Sequence, residues 1–170
     1  MDRYTTFARA LHWIMAVLII ANLALGIGHD ALPRDWAVMP MHKSIGLTVL
    51  VLTLVRIGWR IGHPAPRLPA AMPAWEKGAA HATHALFYAF MILVPLSGWI
   101  MTSAGTRPLN WFFLFDVPKF AVTKGDAIVD LSGEGHEIMG FAWAALILVH
   151  IGAALRHHLV LKDNVLRRML

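Results

Sequence analysis

The sequence predicts an all-α transmembrane four-helix bundle with both termini in the cytoplasm. Of its 170 residues, 58% are hydrophobic and only 15% are charged, and the mean hydropathy is +0.59. Uncharged runs occupy residues 13–28 and, apart from His150, residues 138–155. A soluble domain of this size has no core large enough to bury such runs. With its flanks, each run is long enough to cross a bilayer.

The first two spans are predicted at about residues 7–27 and 41–61, joined by a short stretch rich in Asp and Pro. A cleaved signal peptide is the alternative for the first span. We set it aside because the apolar stretch is too long and has no small-x-small cleavage site. The third span, at about residues 79–103, follows a proline-dense connection that cannot be a helix interior.

The fourth span is predicted at about residues 136–160, so that residues 1–170 form a single integral-membrane domain. The loop before it carries an aromatic cluster, residues 111–115, and is long enough to be functional. Lysine and arginine place both termini in the cytoplasm, with ten on the terminal side and five on the other. These bases lie between apolar blocks and form no patch, which argues against a nucleic-acid partner.

Histidine is the unusual residue of this composition, with ten copies against ten acids and no cysteine. The lack of cysteine excludes disulfides, iron–sulfur clusters and thioether-linked haem. His136 and His150 are 14 residues apart in the fourth span. At about 100° per residue they fall on one face, roughly 21 Å apart along the axis. Two cofactors at different depths could therefore be bound from this one helix.

Each of these histidines has a candidate partner at its own depth. His42 begins the second span at the level of His136, and His12 lies near the inner start of the first span, at the level of His150. Two separated pairs of histidines in a helical bundle are what two b-type haems require, since iron takes two trans axial imidazoles. Zinc would need three or four converging ligands.

Small residues lie one turn inward of three of the four histidines. Gly46 follows His42 and Gly140 follows His136, where a porphyrin could lie against bare backbone, and Ala16 follows His12. Leu146 breaks this pattern at His150. Haem propionates need cationic partners. Arg56, which is 14 residues after His42, and Arg60 are the inner candidates, and Lys43 is the nearest outer base.

The remaining histidines leave one alternative open. His81 and His84 begin the third span on the cytoplasmic side, and either could replace His150 as the partner of His12. His157 and His158, at the inner end of the fourth span, are better placed for headgroup or quinone contacts. Trp143 lies deep enough to pack inside the bundle, whereas most other tryptophans fall where an interfacial belt is expected.

Taken together, these residues resemble the bacterial cytochrome b561 family and the b-type cytochrome subunits of hydrogenases and formate dehydrogenases. The resemblance covers essentially the whole chain. It rests on the order and spacing of short motifs: Leu11-His12-Trp13, Met41-His42-Lys43-Ser44-Ile45-Gly46, Leu54-Val55-Arg56, Ala80-His81-Ala82-Thr83-His84, Gly135-His136-Glu137, Leu148-Val149-His150, Lys162-Asp163-Asn164 and Leu166-Arg167.

The resemblance implies a dihaem cytochrome of the bacterial inner membrane that exchanges electrons with the ubiquinone pool. The family's haem ligands carry over to His12, His42, His136 and His150. Some free-standing members look like superoxide oxidases, in which superoxide outside is the donor and ubiquinone the acceptor. A short chain without an added soluble domain resembles that type.

The expected substrate contacts follow from this reading. Lys43, Arg34 and Arg107 are candidates for steering superoxide to the outer side, and His84, His157 and His158 are candidates for inner proton transfer to a quinone. A second hypothesis makes the chain a haem-bearing membrane anchor for a dehydrogenase, a hydrogenase or a periplasmic redox partner. A haem-free transporter is a third, but the sequence shows no repeat, and only Pro95 hints at a broken helix.

Overall fold

The computed structural model describes residues 3–33 and 36–170. Four long helices dominate them: α1 (Thr6–Gly28), α2 (Val38–Gly62), α3 (Ala74–Ser103) and α4 (Ala127–Leu155). Each is long and apolar enough to cross a membrane, which confirms the transmembrane four-helix bundle. A small hairpin, β1 (Asn110–Trp111) and β2 (Phe115–Asp116), lies between α3 and α4. Arg34 lies outside the described residues.

Two helices begin earlier than the hydropathy predicts. α3 starts at Ala74, directly after Pro73, and α4 starts at Ala127, nine residues before position 136. The first turns of α4 contain Asp130 and Glu134, which are compatible with helix but not with lipid. Hydropathy marks only the lipid-compatible part of a helix, and these helices extend beyond it.

Proline does not interrupt the bundle. Pro40 lies in the first turn of α2, where a missing N–H is tolerated. Pro95 is buried inside α3, and the helix continues through it to Ser103. Neighbouring groups can satisfy the backbone that such a proline frees within a membrane bundle. α3 is therefore one continuous helix and not a broken pair.

The helices pack in chain order, α1 against α2, α2 against α3 and α3 against α4, with a smaller contact between α4 and α1. The buried core is Leu11, Met15, Ile19, Ile45, Val49, Met91, Val94 and Trp143. Trp143 is only 3% exposed, in agreement with its predicted place inside the bundle. Many large apolar side chains, such as Val17, Val51 and Leu148, face outward, as lipid-facing residues do.

The outer end of the bundle is closed by the β1–β2 hairpin. Ser44 of α2 is fully buried, and its hydroxyl accepts the Phe112 N–H at 2.9 Å and lies 3.2 Å from the Asn110 carbonyl oxygen. One turn further along α2, Thr48 Oγ1 accepts the indole N–H of Trp111 at 3.1 Å. Phe112 and Phe113 both have positive φ angles at the turn, where non-glycine residues are strained.

The inner end of the bundle is closed by the C-terminal segment. After Leu155 the chain makes a π-helical turn, Arg156–Val160. Residues 161–165 then reverse its direction, and the last residues return to the start of α1. There the indole N–H of Trp13 donates to the Met169 carbonyl at 2.8 Å, and Arg9 donates to the Leu170 carbonyl. Both ends of the described chain thus lie at the same end of the bundle.

Candidate functional site: two histidine pairs

The outer pair is formed by His42 of α2 and His136 of α4. Their ring centroids are 6.0 Å apart, and the ring planes are inclined by 81°. Neither ring is fully buried, and each enters from a different helix. The fold thus brings together two imidazoles that are 94 residues apart in the sequence.

Backbone carbonyls orient both outer histidines. His42 Nδ1–H donates to the Asn22 carbonyl of α1 at 3.0 Å, and His136 Nδ1–H donates to the Val94 carbonyl of α3 at 2.9 Å. The hydroxyl of Ser97 lies 3.3 Å from the same His136 nitrogen. Because a carbonyl can only accept, each bond assigns the ring hydrogen to Nδ1. The lone pair of each Nε2 is then available to a metal.

The inner cluster contains three histidines with His150 as the shared member. The His150 ring lies 6.4 Å from His12 and 6.2 Å from His84, measured between ring centroids. Phe87 packs edge-on against His150 at 5.1 Å. Both α1 and α3 thus bring an imidazole to His150.

The spacing of both pairs fits a metal held between two imidazoles. A metal–imidazole bond is about 2 Å long, and the ring centroid lies about 1 Å beyond the bonding nitrogen, so two trans imidazoles have centroids about 6 Å apart. The observed values are 6.0 Å for the outer pair and 6.4 Å for His12 and His150, and the 6.2 Å between His84 and His150 meets the same criterion.

The Nη1 atom of Arg56 is buried with no hydrogen-bond partner among the described residues. It lies within electrostatic range of His12 and His84, at the level where the sequence places an inner propionate partner.

The glycines divide into two kinds. A Cβ on Gly140 would meet nothing within 4 Å, and one on Gly46 would meet only the amide of Asn22, in ordinary van der Waals contact at 3.6 Å. Gly26 and Gly98 are different. A Cβ there would lie 2.7 Å from His42 Cε1 and 2.9 Å from His136 Cε1, respectively. Neither glycine is predicted from the sequence as a site residue.

A cavity of about 400 Å³ opens beside the inner cluster. His84 lines it together with Arg60 and His81, and Tyr4, Arg67 and Lys77 complete its polar wall. The guanidinium of Arg60 lies over the Tyr4 ring, 5.3 Å from the ring centroid. The cavity is therefore cationic and reaches one of the three inner imidazoles.

His157 and Asp163 form a separate ion pair at the inner end. His157 Nδ1 lies 2.6 Å from Asp163 Oδ2, and the Val165 N–H donates to Asp163 Oδ1 at 2.9 Å. Burial raises the pKa of Asp163, but the Val165 and His157 contacts outweigh it and hold that pKa below its usual 3.8. His158 is half-buried on the same π-helical turn.

The outer side carries a group of cations around His42. Lys43 is half-buried and lies within electrostatic range of Arg107 and Lys119. The Lys119 ammonium donates to the carbonyls of Gly105 and Arg107, which fixes it to the loop after α3. Lys43 and Arg107 are predicted from the sequence, whereas Lys119 is not, because only the folded loop brings Lys119 close.

Comparison with known proteins identifies relatives over the whole chain. The family model described as prokaryotic cytochrome b561 matches residues 3–170. Cytochrome b561 homolog 2 of Escherichia coli strain K12 is 32% identical over 174 aligned residues, which cover 99% of this chain and 92% of that protein. A probable superoxide oxidase, CybB, of Yersinia pestis is 28% identical, with 99% and 96% covered, and a cytochrome b562 of Cereibacter sphaeroides is 32% identical, with 98% and 94% covered.

Proposed function

The chain belongs to the prokaryotic cytochrome b561 family, and from that premise we propose that it oxidises superoxide outside the cytoplasmic membrane and reduces ubiquinone. The family membership makes it a membrane-spanning haem protein of electron transport. In the proposed reaction, two superoxide anions each lose one electron and become dioxygen. One ubiquinone takes up those two electrons and two protons and becomes ubiquinol.

The observation that carries the proposal is the pair of histidine pairs at two depths. We assign one haem b to His42 and His136 at the outer level and a second to His12 and His150 at the inner level. Bound haem supplies reversible one-electron chemistry at each level. These four imidazoles would hold the haem irons, and Arg56 and Arg60 would supply positive charge to the inner propionates.

The outer cations and the inner histidines have separate tasks in this scheme. Lys43, Arg107 and Lys119 attract an anion toward His42, and Arg34, in the connection of the sequence that precedes α2, adds a further positive charge. On the inner side, His84 lines a cationic cavity beside His150, where a quinone would be protonated. His157 and His158 connect that side to the solvent as proton carriers.

The exposed tip of the hairpin favours a second candidate function. Phe113, Leu114 and Phe115 are 65, 71 and 56% exposed, an apolar surface next to the outer pair that a redox protein could contact. In that case the chain is the membrane anchor of a dehydrogenase or of a periplasmic electron carrier. Copurification of a stoichiometric partner would favour this candidate.

Haem content tests the two ligand pairs. The purified chain should give a low-spin b-type spectrum when the dithionite-reduced and oxidised forms are compared, with two haems per chain by pyridine haemochrome. His42→Ala and His150→Ala should each lose one haem, and not the same one, because each removes an axial ligand. His84→Ala should keep both. If His84→Ala loses a haem and His150→Ala does not, the inner assignment is wrong.

A superoxide assay separates the two candidate functions. Potassium superoxide added to the purified chain should reduce its haem within the mixing time and then reduce added ubiquinone, with two superoxide anions consumed per quinone. Superoxide dismutase should abolish both signals, while dithionite should still reduce the haem. If dithionite reduces the haem fully but superoxide does not, the superoxide oxidase function is excluded, and the membrane-anchor function remains.

A further inference from the structure

Gly26 of α1 faces the ring of His42 from the neighbouring helix. A Cβ at this position would lie 2.7 Å from His42 Cε1 and 3.1 Å from Nδ1. Side-chain carbons do not approach so closely, so any larger residue would push the ring away. The same ring nitrogen donates to the carbonyl of Asn22, four residues before Gly26.

Gly98 of α3 repeats this arrangement at His136. A Cβ there would lie 2.9 Å from His136 Cε1 and 3.1 Å from Nδ1. The ring nitrogen donates to the carbonyl of Val94, again four residues before the glycine. Two helices that are not neighbours in the chain thus present the same pair of features, a carbonyl at position i and a glycine at i+4.

Helix geometry explains why the two features go together. The carbonyl of residue i points along the axis toward residue i+4 and accepts its N–H, which leaves one lone pair facing sideways. A side chain at i+4 would cover that lone pair. Glycine leaves it open to a donor on another helix, at a cost of about 1 kcal/mol relative to alanine within a helix.

We propose that Gly26 and Gly98 are positioning residues for the outer haem, each opening a helix carbonyl to the Nδ1–H of an axial histidine. The inference rests on the ligand assignment proposed above. The bonds to Asn22 and Val94 fix the tautomer and the rotation of both imidazoles, as partners of ligating histidines do in metal sites. Alanine at either position would displace the ring and break that bond.

Gly26→Ala and Gly98→Ala test this in the purified full-length chain. Each should lose the outer haem or bind it about 10–100-fold more weakly, the range found when such supporting partners are removed. Retained outer haem should show a shifted low-spin electron paramagnetic resonance signal, while the inner signal stays unchanged. Gly28→Ala and Gly78→Ala, in the same two helices, are the controls, since a Cβ there meets nothing within 4 Å.

A second pair of variants separates positioning from general loss of folding. In a His42→Ala background the space beside Gly26 is vacated, so Gly26→Ala should no longer lower the melting temperature and should raise it slightly, because alanine favours helix. In a His136→Ala background, Gly98→Ala should likewise no longer lower the melting temperature. An equal loss of stability in both backgrounds would show that the glycines serve packing alone and would overturn the proposal.

Two outcomes distinguish this inference from the ligand assignment beneath it. If His42→Ala keeps both haems, the assignment of the outer site fails. If His42→Ala loses the outer haem but Gly26→Ala and Gly98→Ala keep it with an unchanged resonance signal, the ligands stand and the positioning role is refuted.

Discussion

The hydrogen-bond partner of one ring nitrogen decides what the other nitrogen of a histidine can bind. At His42 and His136 that partner is a backbone carbonyl of an adjacent helix. At the inner cluster, within the part of the chain that the structure describes, no carbonyl bond to His12 or His150 is found, and His150 instead packs against Phe87. The outer rings are therefore oriented by hydrogen bonds, and the inner rings by packing.

Sequence arithmetic could place the four histidines but not their supports. The 14-residue interval between His136 and His150 and the matched depth of His42 are properties of side chains on a regular helix. The partners of the outer rings are the carbonyls of Asn22 and Val94, and every residue has a carbonyl, so the sequence carries no mark of them. The available signal was glycine within an apolar helix, which can mark a close approach, but α1 and α3 contain two glycines each.

Asp163 gives a pH-dependent prediction at the inner end. Its pKa is lowered in the folded chain, so its contribution to stability is present above its usual 3.8 and is lost as the pH falls through the folded value. Thermal unfolding in detergent, followed from about pH 7 to about pH 3, should show this loss in the wild type. Asp163→Ala should lack that component, because the contacts to His157 and Val165 are gone.

Asp126→Ala is the matched control for this titration. Asp126 also accepts hydrogen bonds from a nearby backbone N–H and hydroxyl, both of Thr123, but it lies at the opposite, outer end of the bundle. The Asp126→Ala chain should lose stability on acidification as the wild type does, and so should still differ from Asp163→Ala. A wild type and an Asp163→Ala chain with parallel pH profiles would contradict the role of the ion pair.

At the level of elements, the hairpin is an appendage of α2 rather than of the helices it connects. Ser44 holds its turn and Thr48 holds Trp111, and both belong to the same face of α2, one turn apart. His42 lies two residues before Ser44 in the same helix. The hairpin and the outer histidine are therefore parts of one rigid unit. The sequence indicated a functional loop but not this attachment. A serine and a threonine hydroxyl in an apolar helix do not indicate which segment they bind.

Ser44→Ala should release the hairpin. It leaves the Phe112 N–H without its acceptor, and a buried N–H without a hydrogen-bond partner lowers the free energy of unfolding by about 1–3 kcal/mol. Hydrogen–deuterium exchange measured by mass spectrometry should rise across residues 110–116. Ser103→Ala is the regional control, because Ser103 holds the Phe120 N–H in the same way and should raise exchange only around residue 120. Equal protection of residues 110–116 in Ser44→Ala and the wild type would mean that Thr48 and Trp111 suffice.

At the scale of the whole molecule, the bilayer explains why the fold was predictable. In lipid every backbone group must be satisfied within the segment, so an apolar stretch of spanning length has few alternatives to a helix. The four spans at 7–27, 41–61, 79–103 and 136–160 each fall within an observed helix or its direct π-helical continuation. The beginnings of α3 and α4 were not predictable in the same way, since Glu76, Asp130 and Glu134 lie in their first turns and lower the hydropathy there.

The orientation of the bundle can be tested because both chain ends lie together. The N–H of Tyr4 donates to the Arg168 carbonyl, and Trp13 donates to Met169, so both ends of the described chain lie on one side of the bundle. That side also holds ten of the fifteen lysines and arginines of the sequence. From the positive-inside rule we therefore expect both termini in the cytoplasm and the β1–β2 hairpin outside.

Reporter fusions should confirm this orientation. Green fluorescent protein fused after Leu170 should fluoresce in intact cells, because it folds in the cytoplasm, whereas alkaline phosphatase fused there should be inactive. Alkaline phosphatase fused after Lys124, in the connection that carries the hairpin, should be active. The matched control is alkaline phosphatase fused after Arg67, in the connection between α2 and α3, which belongs to the same side as the termini and should be inactive. Active phosphatase after Leu170 and inactive phosphatase after Lys124 would invert the bundle. His42 and His136 would then face the cytoplasm, and superoxide generated outside could not reach them.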